Sequence, residues 1–347
     1  MSKQKVQLVY GPWDKKRPQL TDFGNAERLI SKYGDILRYS YERRNWLVWK
    51  GTHWQWDMVG DIEKYAKLTV RGIYTEAQEE ENDEIRKSII AHAQKSESGA
   101  RISAMINLAQ SEKGIPVLSA ALDSDPWKFN VFNGTINIKT GELQKHRPED
   151  LITVMVPINY DPEATCPIWL NFLNKVMNGD EGLIQYLQAV VGYSLTGDIS
   201  QQILFFLYGL GSNGKSTFIT TIRKLMGNYG ERTNTELFLT KEKGAGGPRE
   251  GLANLKGKRF VAASEIEDGK RLAVSLIKDL TGGESIKADR KYEHEIEYTP
   301  TYKIWLTGNH KPGITDSTLS TWRRMKLIPF TVTISSKEAD PLLSQKL

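Results

Sequence analysis

The chain has 347 residues, 39% of them hydrophobic and 26% charged, with a net charge of +5 and a single cysteine. That length and apolar content suffice for two packed domains and argue against disorder, and the small positive excess allows a nucleic-acid partner without requiring one. Cys166 alone excludes an internal disulfide or a cysteine-rich zinc module, no run is long enough to cross a membrane, and the start lacks an apolar signal core, so a soluble protein of the cytoplasm is expected.

Residues 1–20 are polar, with Lys15, Lys16, Arg17 and Pro18, and read as a tail or linker. A short helix is expected from Asn25 through Ile30, ending at Gly34, followed by strands over Ile36 to Tyr39 and Trp46 to Trp49 and a turn at Lys50-Gly51-Thr52 into Trp54-Gln55-Trp56. Four tryptophans in eleven residues could form a base-stacking platform, but such rings more often fill the core of a small sheet, and the core is the favoured reading. From about Asp57 to Lys113 the apolar spacing is helical, with Ile62, Tyr65, Ala66 and Thr69, then Ile85, Ile89 and Ala93, then Ile102, Met105, Ile106 and Ala109. The acidic run from Glu79 to Glu84 reads as a solvated helix start, because consecutive helical carboxylates diverge and do not converge on a metal. Short strands joined by Asn133-Gly134 and Thr140-Gly141 turns come next, then helices around Ile168 to Met177 and Leu183 to Leu195. His53, His92 and His146 stand alone, and residues 1–195 contain no set of catalytic groups.

The chemistry begins at Leu204. An apolar run to Tyr208 is followed at once by G-x-x-x-x-G-K-S (Gly209, Gly211, Ser212, Asn213, Gly214, Lys215, Ser216), with Thr217 behind it and Phe218, Ile219, Ile222 and Leu225 at helical spacing. A strand, a glycine-rich turn and a helix start bring backbone N–H groups and a positive helix end to a triphosphate. Lys215 would reach the β- and γ-phosphates of ATP, and Ser216 would place its hydroxyl on Mg²⁺. The segment from Lys241 to Glu250, with Gly244, Gly246, Gly247 and Pro248, reads as a loop beside this domain.

Hydrolysis also needs an acid, a polar sensor and a positive charge for the transition state, and each has a candidate downstream. The strand Arg259 to Ala263 ends in Ser264-Glu265, which makes Glu265 the first candidate for a water-polarising or magnesium-linked acid, ahead of Glu267; the alternative is a helix cap. Tyr302 to Thr307 is a second strand, ending at Gly308-Asn309-His310, where Asn309 can hydrogen-bond a γ-phosphate or water. Arg323 and Arg324 precede a third strand, and a guanidinium suits a neighbour's γ-phosphate or, equally, a salt bridge.

In this order the motifs resemble the superfamily 3 helicases, specifically the helicase part of phage and plasmid primase-helicases, related to the poxvirus primase-helicase. The resemblance rests on Gly209 to Ser216, Ser264-Glu265, Thr281-Gly282-Gly283 with the basic segment after it, Thr307 to His310, and Trp322-Arg323-Arg324 with Ile328-Pro329-Phe330. Upstream, Trp46 to Trp49 and Asn133 to Ile136 lie in a stretch, about Tyr33 to Leu195, that is similar to the module preceding the motor. The resemblance implies an α/β fold in which an AAA+-type P-loop NTPase domain, 196–347, follows a mixed, largely helical N-terminal module, 21–195. It further implies hexameric rings on single-stranded or forked DNA, work beside a primase or other replication proteins, and a place in the bacterial cytoplasm or a phage-infected host. Lys215 and Ser216 would bind ATP and magnesium, Glu265 would activate water and contact the metal, Asn309 would sense the γ-phosphate, and Arg323 or Arg324 would be a finger acting in trans. Lys287, Arg290, Lys291 and Tyr292 match the region of the pore hairpin, with Asp289, Glu293 and Glu295 offsetting their charge.

Two departures qualify the match. Ser264 stands where the family has a second acid, so metal contact there would be indirect, and the primase half is absent. The chain also stops 17 residues after Phe330, where relatives usually continue into a small further domain, which reads as a fragment. The competing readings are an ATP-regulated DNA-binding initiator or loader with slow hydrolysis, and a metabolite kinase, for which the sensor strand and arginine pair would have no purpose.

Overall fold

The computed structural model describes residues 18–240, 250–267, 269–288, 296–313 and 318–347, apart from the side chains of Glu250, Glu265 and Leu319. Its contacts divide the chain into two compact units, 1–122 and 123–347.

In the first unit, helix α1 (Asp22–Tyr33) starts at Thr21, whose hydroxyl accepts from the Gly24 N–H at 3.0 Å. Strands β1 (Leu37–Ser40), β2 (Asn45–Trp49) and β3 (Trp54–Trp56) form an antiparallel sheet in sequence order. Helices α2 (Asp61–Gln78), α3 (Asp83–Ser96) and α4 (Gly99–Ala109) follow. The shared core joins Leu29, Leu37, Trp46, Val48, Ile62, Val70 and Met105. Trp46 and Trp54 are buried as the core reading expects, while Trp49 and Trp56 are only half-buried. The acidic run divides: Glu79, Glu80 and Glu81 lie in the α2–α3 connection, and Asp83 and Glu84 sit in the first turn of α3, where negative charge suits the helix dipole.

The second unit opens with β4 (Lys128–Val131), β5 (Gly134–Asn137) and β6 (Glu142–Gln144), antiparallel and joined at the two expected glycine turns. Helices α5 (Pro167–Val176) and α6 (Glu181–Leu195) lead to the central sheet. Its elements in chain order are β7 (Leu204–Tyr208), α7 (Lys215–Met226), β8 (Gly230–Arg232), α8 (Glu250–Ala253), β9 (Phe260–Ile266), α9 (Val274–Gly282), the hairpin β10 (Ile286–Ala288) and β11 (Ile296–Tyr298), β12 (Lys303–Gly308), α10 (Leu319–Trp322) and β13 (Met325–Pro329); α11 (Leu343–Lys346) closes the chain. The sheet is five-stranded, in the order β13-β7-β12-β9-β8, and every pairing is parallel.

Apolar residues cover both faces of this sheet, which is why its strands read as unbroken hydrophobic runs. On β7, Phe205 and Leu207 face one cluster with Phe218 and Trp305, while Leu204 and Phe206 face another with Ile304, Leu306 and Leu280. The first cluster also contains Phe129, Val131, Ile136, Phe172 and Val176. Residues 123–195, which the sequence pattern groups with the N-terminal module, therefore share the core of the five-stranded sheet. Two buried cations reinforce that union at the start of the strands. Arg259 donates to the carbonyls of Leu195 at 2.7 Å and Lys128 at 2.6 Å, and Lys303 donates to those of Thr196 and, at 3.1 Å, Asp198.

Candidate nucleotide site

The glycine-rich turn after β7 has its shape enforced at both ends. Gly209 has φ +149°, and a Cβ there would meet the Phe330 carbonyl oxygen at 2.0 Å. Gly214 has φ +88°, and a Cβ there would strike Val176 at 2.7 Å. Gly211 meets nothing within 4 Å, so it leaves open space where a ligand's oxygens could approach the backbone. Helix α7 then begins at Lys215 with no side chain capping its N-terminus.

Lys215 is 7% exposed, and its Nζ donates to the Gly209 carbonyl at 2.5 Å and to Asn213 Oδ1 at 3.0 Å. Burial lowers its pKa from the usual lysine range. Among the described residues it has no carboxylate partner, so a buried ammonium is held only by neutral oxygens. Asn213 turns inward: its amide donates to the carbonyls of Leu210 and, at 2.9 Å, Phe330. Its side chain thus braces the loop, which leaves its backbone N–H as the group able to face a phosphate. Ser216 is exposed and Thr217 half-buried at the same helix end. An uncapped helix, an open glycine and a buried ammonium together fit the phosphates of a nucleotide.

Parallel pairing brings the other strand ends to this edge. In the register of β12, Gly308 lies beside Tyr208 of β7 and Ile266 of β9. Asn309 follows directly and is exposed, and Glu265 is the penultimate residue of β9. Ser264 lines a polar cleft of about 380 Å³ with Arg232, Thr233, Asn234 and Thr235. Among the described residues no group of three or more His, Cys, Asp or Glu side chains could hold a metal by itself. Ser216, at the start of α7, and Glu265, on β9, are the residues that could hold a magnesium ion.

The arginine pair lies at the other end of the strands. The Leu204 N–H donates to the Arg324 carbonyl at 2.8 Å, and Met325 pairs with Leu204, so both arginines flank the start of β7. Five strand residues separate that edge from the glycine turn, about 15 Å at ~3.3 Å per residue. The two guanidiniums differ. Arg324 donates through Nη1 to the Ser320 carbonyl at 2.8 Å and through Nη2 to Gln202 Oε1 at 3.1 Å, and burial, then the charge of Arg323, lowers its pKa. Arg323 is exposed and lines a cleft of about 330 Å³ with Ser200, Gln201, Gln202, Ile203 and Lys326.

Lys287 is exposed on β10, whose antiparallel partner is β11. Arg290, Lys291 and Tyr292, and most of the Lys241 to Glu250 segment, lie outside the described residues. Sequence reasoning missed the bracing role of Asn213 and the contact of the C-terminal segment, where the Ile334 N–H donates to the Ser212 carbonyl at 2.7 Å. Neither carries a sequence signal, since both depend on how distant backbone returns to the loop.

A model of the D5 N terminal like family matches residues 26–178, and a family of unknown function, DUF5906, matches residues 207–324. Proteins of three large DNA viruses, each named "Putative helicase", align with this chain: 26% identity with that of Acanthamoeba polyphaga mimivirus, 26% with that of Frog virus 3 and 25% with that of Invertebrate iridescent virus 3. The alignments cover 60%, 44% and 66% of this chain and 22%, 16% and 25% of the viral proteins. The chain is a homologue of these viral proteins, and its residues 26–178 match the D5 N terminal like family. It spans a quarter or less of their length, so it matches a part of each and not the whole. Among solved structures, the C-terminal region of NrS-1 in its A-form apo state aligns at 12% identity with a TM-score of 0.52, covering 96% of this chain and 66% of that one. At that identity the likeness concerns the fold, and its coverage takes in residues of both units. No helix among the described residues is long and apolar enough to cross a membrane.

Proposed function

We propose that this chain is the motor part of an ATP-dependent DNA helicase or translocase of the superfamily 3, AAA+-like type, working as a ring in the replication of a phage, plasmid or mobile element. The observation that carries this reading is the polarity of the sheet. The Lys215 loop, the end of β9 and Asn309 share one edge, and Arg323 occupies the opposite one. A residue about 15 Å from the loop cannot serve its own chain's nucleotide, yet it is well placed for a neighbour's. Head-to-tail contacts of that kind close into rings, with a hexamer expected here.

In this reading Lys215 exchanges the Gly209 and Asn213 oxygens for phosphate oxygens, an exchange favoured because its charge is buried and held by neutral oxygens among the described residues. The uncapped end of α7 adds its dipole. Ser216 would hold Mg²⁺, which supplies charge neutralisation at the β- and γ-phosphates. Glu265 orients the attacking water, Asn309 contacts the γ-phosphate, and Arg323 from the next subunit stabilises transferred charge, an effect on the order of a thousand-fold or more. Lys287, with Arg290, Lys291 and Tyr292, contacts single-stranded or forked DNA in the ring, alongside a primase or other replication proteins in the cytoplasm. Helicase names among the viral homologues support this assignment.

Lys215→Ala and Arg323→Ala should each abolish ATP hydrolysis while leaving the fold intact. Mixed, they should regain partial activity, because some interfaces join an intact loop to an intact finger. Co-assembly without recovery would refute action in trans. DNA-stimulated hydrolysis with strand displacement is expected; ATP-dependent DNA binding without displacement would assign an initiator or loader instead.

A further inference from the structure

The sheet of the N-terminal unit carries a surface that the nucleotide site does not use. Its β1–β2 turn, Tyr41–Arg44, and the loop that follows β3 emerge at the same end, because Ser40 pairs with Asn45 and the Asp57 N–H donates to the Trp46 carbonyl at 2.8 Å. Tyr41 is 54% exposed, Met58 82% and Val59 70%. Arg43 and Arg44 are also exposed.

Both carboxylates at this end are engaged by the chain's own backbone. Glu42 Oε2 accepts from the Ser119 N–H at 2.9 Å. Asp57 accepts from the N–H groups of Val59 at 3.2 Å and of Asp61 and Ile62 at 2.9 Å each, which fixes the start of α2. Neither Arg43 nor Arg44 makes an ion pair among the described residues. The Arg43 guanidinium instead lies over the half-buried Trp56 ring, 4.8 Å from its centroid, and Tyr41 is held edge-on by Tyr39 at 5.0 Å. Arg43 is exposed, so the side of its guanidinium away from the indole remains open to solvent. The result is an array of one exposed phenol ring, one guanidinium supported on an indole and a second exposed cation.

Rings and planes suit the faces of unpaired bases, and exposed guanidiniums suit phosphates. We propose that this end of the sheet binds single-stranded nucleic acid, with bases stacking on Tyr41 and on the outward face of Arg43, and with phosphates paired to Arg43 and Arg44. Duplex is disfavoured, since its bases are already stacked on one another. The proposal is separate from the nucleotide site and its test contains no ATP, so the helicase reading can fail without affecting it.

The test is fluorescence anisotropy of the full chain with labelled oligothymidylate and with a duplex of equal length. Tyr41→Ala and Arg43→Ala should each weaken single-strand binding roughly five-fold or more, the scale of one lost base stack. Tyr41→Phe should bind like wild type, and Arg43→Lys should fall between, keeping charge but losing the plane. Arg44→Ala should lower the slope of log affinity against log salt by about 0.7, one phosphate contact. Met58→Ser, on the same surface without ring or charge, should leave binding unchanged and serves as the folding control. Unaltered affinity and salt slope in the alanine variants would overturn the proposal. So would equal binding of duplex, or a loss in Met58→Ser as large as theirs, which would indicate an apolar protein contact.

Discussion

Several buried polar groups in this protein meet neutral oxygens among the described residues. Lys215 and Lys303 both hold their ammonium groups on carbonyls, and burial lowers the pKa of each, well below the usual range for Lys303. For Lys303 the arrangement is structural, because it ties β12 to the end of α6. For Lys215 it provides a charge that gains by meeting an anion. His92 is the corresponding neutral case in the first unit: it is 6% exposed, with Nε2 2.9 Å from Asn25 Oδ1. Burial, then the charges of Arg28 and Arg101, lowers its pKa. The unfolded chain therefore takes up a proton near pH 6.5, where the folded chain does not. Stability is unaffected above that pH and falls as pH drops through the window below it. Melting of the N-terminal unit should shift down between pH 7.5 and 5.5, and His92→Gln should flatten the shift. An unchanged profile in the variant would place the titrating group elsewhere.

At the level of elements, the arginine pair depends on a strand it does not belong to. Gln202, just before β7, accepts from Arg324, and Arg324 in turn fixes the backbone that presents Arg323. Hydrogen bonds to charged groups are worth about 1.5–3 kcal/mol. Gln202→Ala should reduce kcat on the order of ten-fold with KM for ATP unchanged, Arg324→Ala should do the same, and the double variant should be no worse than either. Additive losses would mean the two side chains act separately. This dependence was not legible in the sequence, since the partners are 122 positions apart and two arginines side by side look equivalent. The strand, glycine turn and helix around Lys215 were legible because they are local, as were the strand ends at Glu265 and Asn309, where apolar runs stop at polar residues. The order of the strands was not, because parallel pairing joins segments that are distant in the chain and leaves no local mark. The tryptophan cluster was legible in part: alternation marked a sheet, but only the fold separates buried Trp46 and Trp54 from half-buried Trp56.

For the whole molecule, the decisive matter is where the unit built on the five-stranded sheet begins. The sequence pattern suggests 196, immediately before the strand that leads to the phosphate loop. The core suggests 123. Phe129, Val131, Ile136, Phe172, Val176 and Leu187 all precede 196, and all pack in the cluster that contains Phe205, Phe218 and Trp305. Gly214 itself lies against Val176 and Phe172, so the shape of the loop rests on α5. Burying one large apolar side chain contributes about 1.5–3 kcal/mol, and a domain is stable by only about 5–15 kcal/mol in total. Removing six such side chains, and uncovering their partners on the sheet, exceeds that margin. A protein comprising 123–347 should therefore melt cooperatively and gain thermal stability from ATP with magnesium. One comprising 196–347 should be insoluble or molten, with no shift on adding nucleotide. If the shorter protein melts cooperatively and responds to nucleotide, residues 123–195 are an accessory layer and the core does not depend on them.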